Sequence, residues 1–98
     1  MISLVAKMTI QPGKGAEFER RFAEIAAHVR AHEPDTLVYK LVRSQRVADE
    51  YAVIEFYRTP DALSVHMANL KANPLMAGLA PLLAAAPDMA IYDDVTSE

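Results

Sequence analysis

His66 is the side chain with the most chemistry to offer. It falls in the run Leu63, His66, Met67 and Leu70, whose spacing puts all four on one helical stripe. An imidazole there is either a core histidine satisfied by one hydrogen bond or a base in a pocket wall, able to take a proton near neutral pH. Tyr57 and Glu55 stand two residues apart in a β-branched and aromatic run, so they share one face of a strand. Tyr57 could stack on an aromatic ring or hydrogen-bond an oxygen on which charge develops; the plainer reading is a packed tyrosine with a wet tip. Glu55 inside an apolar run must be paired, hydrogen-bonded or at a rim, and Arg43 and Lys40 on the neighbouring run are its expected partners. Asn69, three residues after His66, could orient it or hold a ligand, although helix geometry also turns it toward solvent. His66 and Tyr57 are thus the candidate catalytic pair, with Glu55, Asn69, Tyr39 and Arg43 as candidate substrate-binding residues.

Other chemistries find little support. Glu24, His28 and His32 recur every four residues in the manner of a metal ladder, but at about 100° per residue Glu24 points away from the apolar stripe. No strong third ligand accompanies the two histidines, so no metal is expected. The absence of cysteine excludes a disulfide framework, a thiolate metal site and a cysteine nucleophile. There is no Gly-rich phosphate loop and no serine-nucleophile motif. Ten Lys+Arg against thirteen Asp+Glu give a net charge of −3, which argues against a nucleic-acid binder. The 98 residues are 52% hydrophobic and 23% charged, a globular balance in one domain spanning 1–98. No apolar run approaches the ~20 residues of a membrane span, and the start reads as a strand without a basic leader. A cytoplasmic protein is expected, with no membrane partner.

The elements that must position these residues follow from periodicity. Ile2 to Gln11 alternates, with Ile2, Leu4, Ala6, Met8 and Ile10 on one side, and Pro12-Gly13-Lys14-Gly15 breaks it. From Ala16 to His32, Phe18, Phe22, Ile25 and Val29 form a helical stripe, and Pro34 ends it. Thr36–Ser44 and Tyr51–Arg58 read as a hairpin with a polar loop. Thr59-Pro60 starts a second helix. A further short helix, bent or interrupted at Pro81, is expected from Leu75, Leu79, Leu82 and Leu83, before a last strand from Met89 to Val95.

The order β-α-β-β-α-α-β is the ferredoxin-like split βαβ pattern of an α+β protein: a four-stranded antiparallel sheet with helices on one face. Both faces of the second and third strands are apolar, however, and one layer of helices covers only one. A second sheet from an identical chain would cover the other, so a homodimer is expected.

The chain resembles the antibiotic biosynthesis monooxygenase family of dimeric α+β barrels, including the quinol monooxygenases. The resemblance runs from the Pro-Gly-Lys after the first strand, through Glu33-Pro34-Asp35-Thr36-Leu37-Val38-Tyr39, to Phe56-Tyr57-Arg58-Thr59-Pro60-Asp61-Ala62-Leu63-Ser64-Val65-His66. It implies a cofactor-independent monooxygenase that oxidises a small phenolic or quinol compound with molecular oxygen, His66 serving to deprotonate the substrate. The family often has Trp where Tyr57 stands and a second His about ten residues after the first, where this chain has Asn73-Pro74-Leu75-Met76. The heme-degrading branch uses Asn, Trp and His; here there is no Trp and no His after His66, so no cofactor is expected. The same barrel also serves isomerases and non-catalytic ligand-binding or stress-response modules, and these alternatives stay open.

Overall fold

Alternation in the first ten residues produces β1 (Ile2–Thr9), with Leu4 and Ala6 buried and Lys7 and Thr9 exposed. The computed structural model describes residues 1–96; Ser97 and Glu98, the end of the expected domain, lie outside the described residues. Gly13 takes φ +80° in the following turn, a conformation that a side chain disfavours. Helix α1 (Gly15–His32) buries Phe18, Phe22, Ile25, Ala26 and Val29, the expected stripe with one alanine added. Pro34 bars its neighbour from the α region, and Glu33 accordingly leaves the helix at φ −127°, ψ 82°.

The hairpin forms as β2 (Thr36–Arg43) and β3 (Glu50–Tyr57). Its loop is stitched by Ser44 Oγ, which accepts from the N–H groups of Arg46 and Val47. Helix α2 (Pro60–Ala72) starts as expected: Thr59 Oγ1 accepts from the Ala62 N–H at 3.1 Å, and Pro60 occupies the first turn. Where a third, bent helix is expected, the chain makes two 3₁₀ turns, Pro74–Gly78 and Ala80–Leu82. Each carries a proline in its first turn, and prolines seven residues apart leave no room for an α-helical ladder. Strand β4 (Asp88–Asp93) closes the order.

All strand pairs are antiparallel, in the spatial order β2-β3-β1-β4. This is the ferredoxin-like sheet, open at both edges. Register decides which side chains meet. Tyr39 lies opposite Glu55, Leu41 opposite Val53 and Arg43 opposite Tyr51, so these six share the helix-covered face. Leu4, Ala6, Tyr51, Val53 and Tyr57 join the helix stripe in the core.

The other face carries Val5 on β1, Val38 and Val42 on β2, Ala52, Ile54 and Phe56 on β3, and Tyr92 on β4. None of these belongs to the buried core, and Phe56 and Tyr92 are exposed. The expected apolar positions on this second side are therefore present, interrupted by Ser3, Lys7 and Lys40, and helices cover only the other side.

Candidate active site

Three elements converge on His66. Helix α2 supplies the imidazole, the end of α1 supplies Glu33, and β3 supplies Glu55 and Tyr57. His66 is fully buried, and Glu33 and Glu55 are each only 5% exposed. The His66 Nδ1–H donates to Glu33 Oε1 at 2.7 Å. Glu33 is fixed further by Thr36, whose hydroxyl donates to Oε1 at 2.9 Å, and by Asn69, whose amide donates to Oε2 at 3.3 Å. With its proton on Nδ1, the ring presents the Nε2 lone pair on its other side. Nε2 is buried and has no hydrogen-bond partner; Glu55 Oε1 stands 3.7 Å away.

Glu55 accepts a hydrogen bond from the Tyr57 hydroxyl. Burial pushes its carboxyl up from 4.5 to about 7; the Tyr57 hydrogen bond opposes this and the nearby Glu33 charge adds to it. The phenols of Tyr57 and Tyr39 are likewise held above the ordinary tyrosine range, chiefly by burial and further by the carboxylates. Aromatic rings wall the histidine: Tyr39 meets it edge-on with centroids 4.8 Å apart, and Tyr57 lies tilted at 5.4 Å. Tyr39 is itself held by stacking on Phe22 of α1 at 5.1 Å.

Beside this cluster, between the sheet and α2, lies a cavity of about 130 Å³. Its wall includes Leu4, Val53, Met67, Leu70 and Met76, and its polar groups come from Glu55 and Tyr39. Met67 and Met89, both exposed, mark its rim. His66 and Tyr57 do not line it. They stand behind Glu55, so the histidine is set back from the cavity and not in its wall.

The remaining expectations separate cleanly. Asn69 joins the cluster, half-buried through Glu33. Arg43 does not: it pairs with Glu19 at 3.1 Å and is mostly exposed. It shares a face with Glu55 but lies four residues beyond Tyr39, about 13 Å along the strand. Lys40 pairs with Ile54 and faces the opposite side. The partner of Glu55 is therefore Tyr57, with His66 Nε2 standing 3.7 Å off, and not the two expected cations. His28 and His32 stack on each other at 4.1 Å, and the His32 Nδ1–H donates to the His28 carbonyl. Among the described residues no group of three His, Asp or Glu could hold a metal. Glu33 and Glu55 sit on opposite nitrogens of His66, so those three cannot share one ion.

Glu33 is the residue that sequence reasoning passes over. A signal exists: a carboxylate at a helix C-terminus faces the negative end of the helix dipole and needs compensation from elsewhere.

The family model for antibiotic biosynthesis monooxygenases matches residues 1–72. The chain belongs to the antibiotic biosynthesis monooxygenase family. Among solved structures, a Caulobacter crescentus protein named for this family is 41% identical, with a TM-score of 0.88 over 97% of this chain and 90% of that one. SnoaB, a cofactor-independent oxygenase from Streptomyces nogalater, is 24% identical with a TM-score of 0.82, covering 98% and 94% of the two chains. A conserved protein from Methanosarcina mazei is 19% identical with a TM-score of 0.83, covering 93% and 89%. The last two likenesses show the family's fold. No curated protein matches the chain. The match ends at Ala72, the end of α2, so Glu33, Glu55, Tyr57, His66 and Asn69 all lie within the family region.

Proposed function

We propose that this member of the family is a cofactor-independent monooxygenase, working as a homodimer, that oxidises a small phenolic or quinol compound with molecular oxygen. One observation carries the reading: a buried histidine, held by a triply hydrogen-bonded carboxylate, backs a cavity of about 130 Å³ whose wall is apolar but for Glu55 and Tyr39. An apolar cavity of about 150 Å³ holds one benzene ring, so this slightly smaller space, open at its Met67 and Met89 rim, is on the scale of a single ring. The phenol must lose its proton before it gives an electron to oxygen readily, and this network gives that proton a destination. One oxygen atom then enters the ring and the other leaves as water, with two hydrogens and four electrons supplied by the substrate. A phenol becomes a quinone with no external reductant.

The dimer rests on the uncovered sheet face. Val5, Val38, Val42, Ala52, Ile54 and Phe56 form a largely apolar surface, crossed by Lys7 and Lys40, that the single helix layer leaves open and that a second sheet would cover. The test of the whole reading is oxygen uptake by purified, metal- and flavin-free protein with a panel of phenols and hydroquinones. Uptake above the uncatalysed rate on at least one member is expected. A protein that accelerates none of them contradicts the assignment.

A further inference from the structure

We infer that Glu55, and not His66, is the group that touches the substrate hydroxyl and takes its proton, with His66 and Glu33 acting behind it. The inference rests on the phenol-oxidising reading and names the atom that begins that reaction. Its ground is the placement of three groups. Glu55 lines the cavity, whereas His66 is fully buried and absent from its wall. A ligand in the cavity therefore meets a carboxylate first. His66 cannot turn its ring toward the cavity without breaking the 2.7 Å hydrogen bond from Nδ1 to Glu33. Its free Nε2 points at Glu55 Oε1 across 3.7 Å, beyond hydrogen-bond length but within reach of a small side-chain shift.

The proton has a complete route on these atoms. It passes from the substrate oxygen to a Glu55 oxygen, leaving a phenolate and a neutral carboxylic acid. When Glu55 closes on Nε2, the proton moves on to the imidazole, the Glu55 carboxylate is restored, and the imidazolium lies against the Glu33 carboxylate. Three neighbours suit Glu55 to the task. Tyr57 donates to it from the same strand, Glu33 at the end of α1 adds negative charge, and Tyr39 across the strand pair brings a second, half-buried phenol. Burial raises the carboxyl to about 7, close to the pH at which it must work. Against an ordinary carboxyl of 4.5, that makes proton transfer from a given phenol about 300-fold more favourable.

Among the described residues neither Glu33 nor Glu55 has a lysine or arginine within ion-pairing distance. The cavity therefore selects neutral hydroxyl-bearing rings over carboxylated or phosphorylated ones.

The test uses phenol and anisole, which share the ring and its oxygen and differ in the O–H donor, with E55Q as the control for the extra methyl group of anisole. Their binding is measured by calorimetry from pH 5 to pH 9. Phenol should bind at least about 10-fold more tightly than anisole when Glu55 is ionised, the worth of a hydrogen bond to a charged acceptor. That preference should shrink as pH falls through about 7. In Glu55→Gln the preference should be small and independent of pH, and in His66→Ala it should persist. A preference that E55Q retains, that H66A alone abolishes, or that is missing in the parent overturns the inference. Should E55Q not fold, the carboxyl carbon resonance of Glu55 in the parent decides. Saturating phenol should lower its titration midpoint relative to anisole, and equal midpoints would refute the contact. A parent that shows the predicted preference yet consumes no oxygen with any phenol refutes the oxygenase reading alone.

Discussion

Replacing Glu55 by glutamine keeps the shape of the side chain and removes its titration, which isolates what burial of this carboxyl does to stability. In the folded protein the group titrates at about 7 against 4.5 in the unfolded chain. Between those values the native state holds a proton that the unfolded state has released, so stability falls as pH rises. The favourable contribution is fully present below pH 4.5 and is lost as pH passes through about 7. At about 1.36 kcal/mol per pH unit, the gap corresponds to about 3 kcal/mol. That is a substantial share of the ~5–15 kcal/mol that holds an ordinary domain together. Glu33, Tyr39, Tyr57 and His66 face Glu55 and are kept in E55Q, so the comparison changes the one side chain alone. The assay is urea unfolding of parent and E55Q at several pH values between 5 and 8, at one protein concentration because any assembly would add stability. The parent should lose most of that ~3 kcal/mol relative to E55Q across the range. A stability difference that stays constant from pH 5 to pH 8 would refute the placement of a buried, titrating carboxyl at this position.

Three further outcomes follow from the same geometry. Tyr57→Phe removes the donor that lowers the Glu55 carboxyl, so the midpoint read from its carboxyl carbon should move above about 7; an unchanged midpoint would mean the hydroxyl does not engage the carboxylate. His66→Ala, which removes the onward acceptor of the Glu55 proton, should slow quinone formation, and should cost about 2–3 kcal/mol in unfolding titrations because it leaves the buried Glu33 without its histidine donor. Full activity in H66A would remove the histidine from the reaction. Val38→Asp places a charge in the uncovered apolar face, and light scattering should show two chains for the parent at micromolar concentration and a shift toward one chain for the variant.

Much of this architecture is legible in local pattern. Alternation marks β1, the Phe18-Phe22-Ile25-Val29 stripe marks α1, and Thr59-Pro60 marks the start of α2, because each signal lies within the element it specifies. The third helical segment lies where expected and is interrupted near Pro81, but its 3₁₀ character is not legible, because leucine spacing speaks of burial and not of hydrogen bonding. The site divides in the same way. Tyr57 and Glu55 are coupled through a two-residue spacing on one strand, which sequence displays. Glu33 and His66 are 33 positions apart and meet only when the end of α1 packs against α2. The loss of Arg43 and Lys40 as partners is a matter of strand register, and the bulge between Thr36 and Val38 is not visible in composition. Depth is the last thing missing. His66 belongs to the stripe as expected, yet that stripe does not tell a cavity wall from the layer behind it.

Oxygen-18 gas separates true monooxygenation from simple oxidation of a quinol, which returns oxygen as peroxide. The metal- and flavin-free protein is incubated under labelled oxygen with the phenol or hydroquinone it consumes fastest, and product and solvent are analysed by mass spectrometry. The account predicts one labelled atom in the quinone and one in water for each turnover, with both signals falling together in H66A. A quinone that carries no label, or a labelled quinone formed equally fast without the protein, would contradict it.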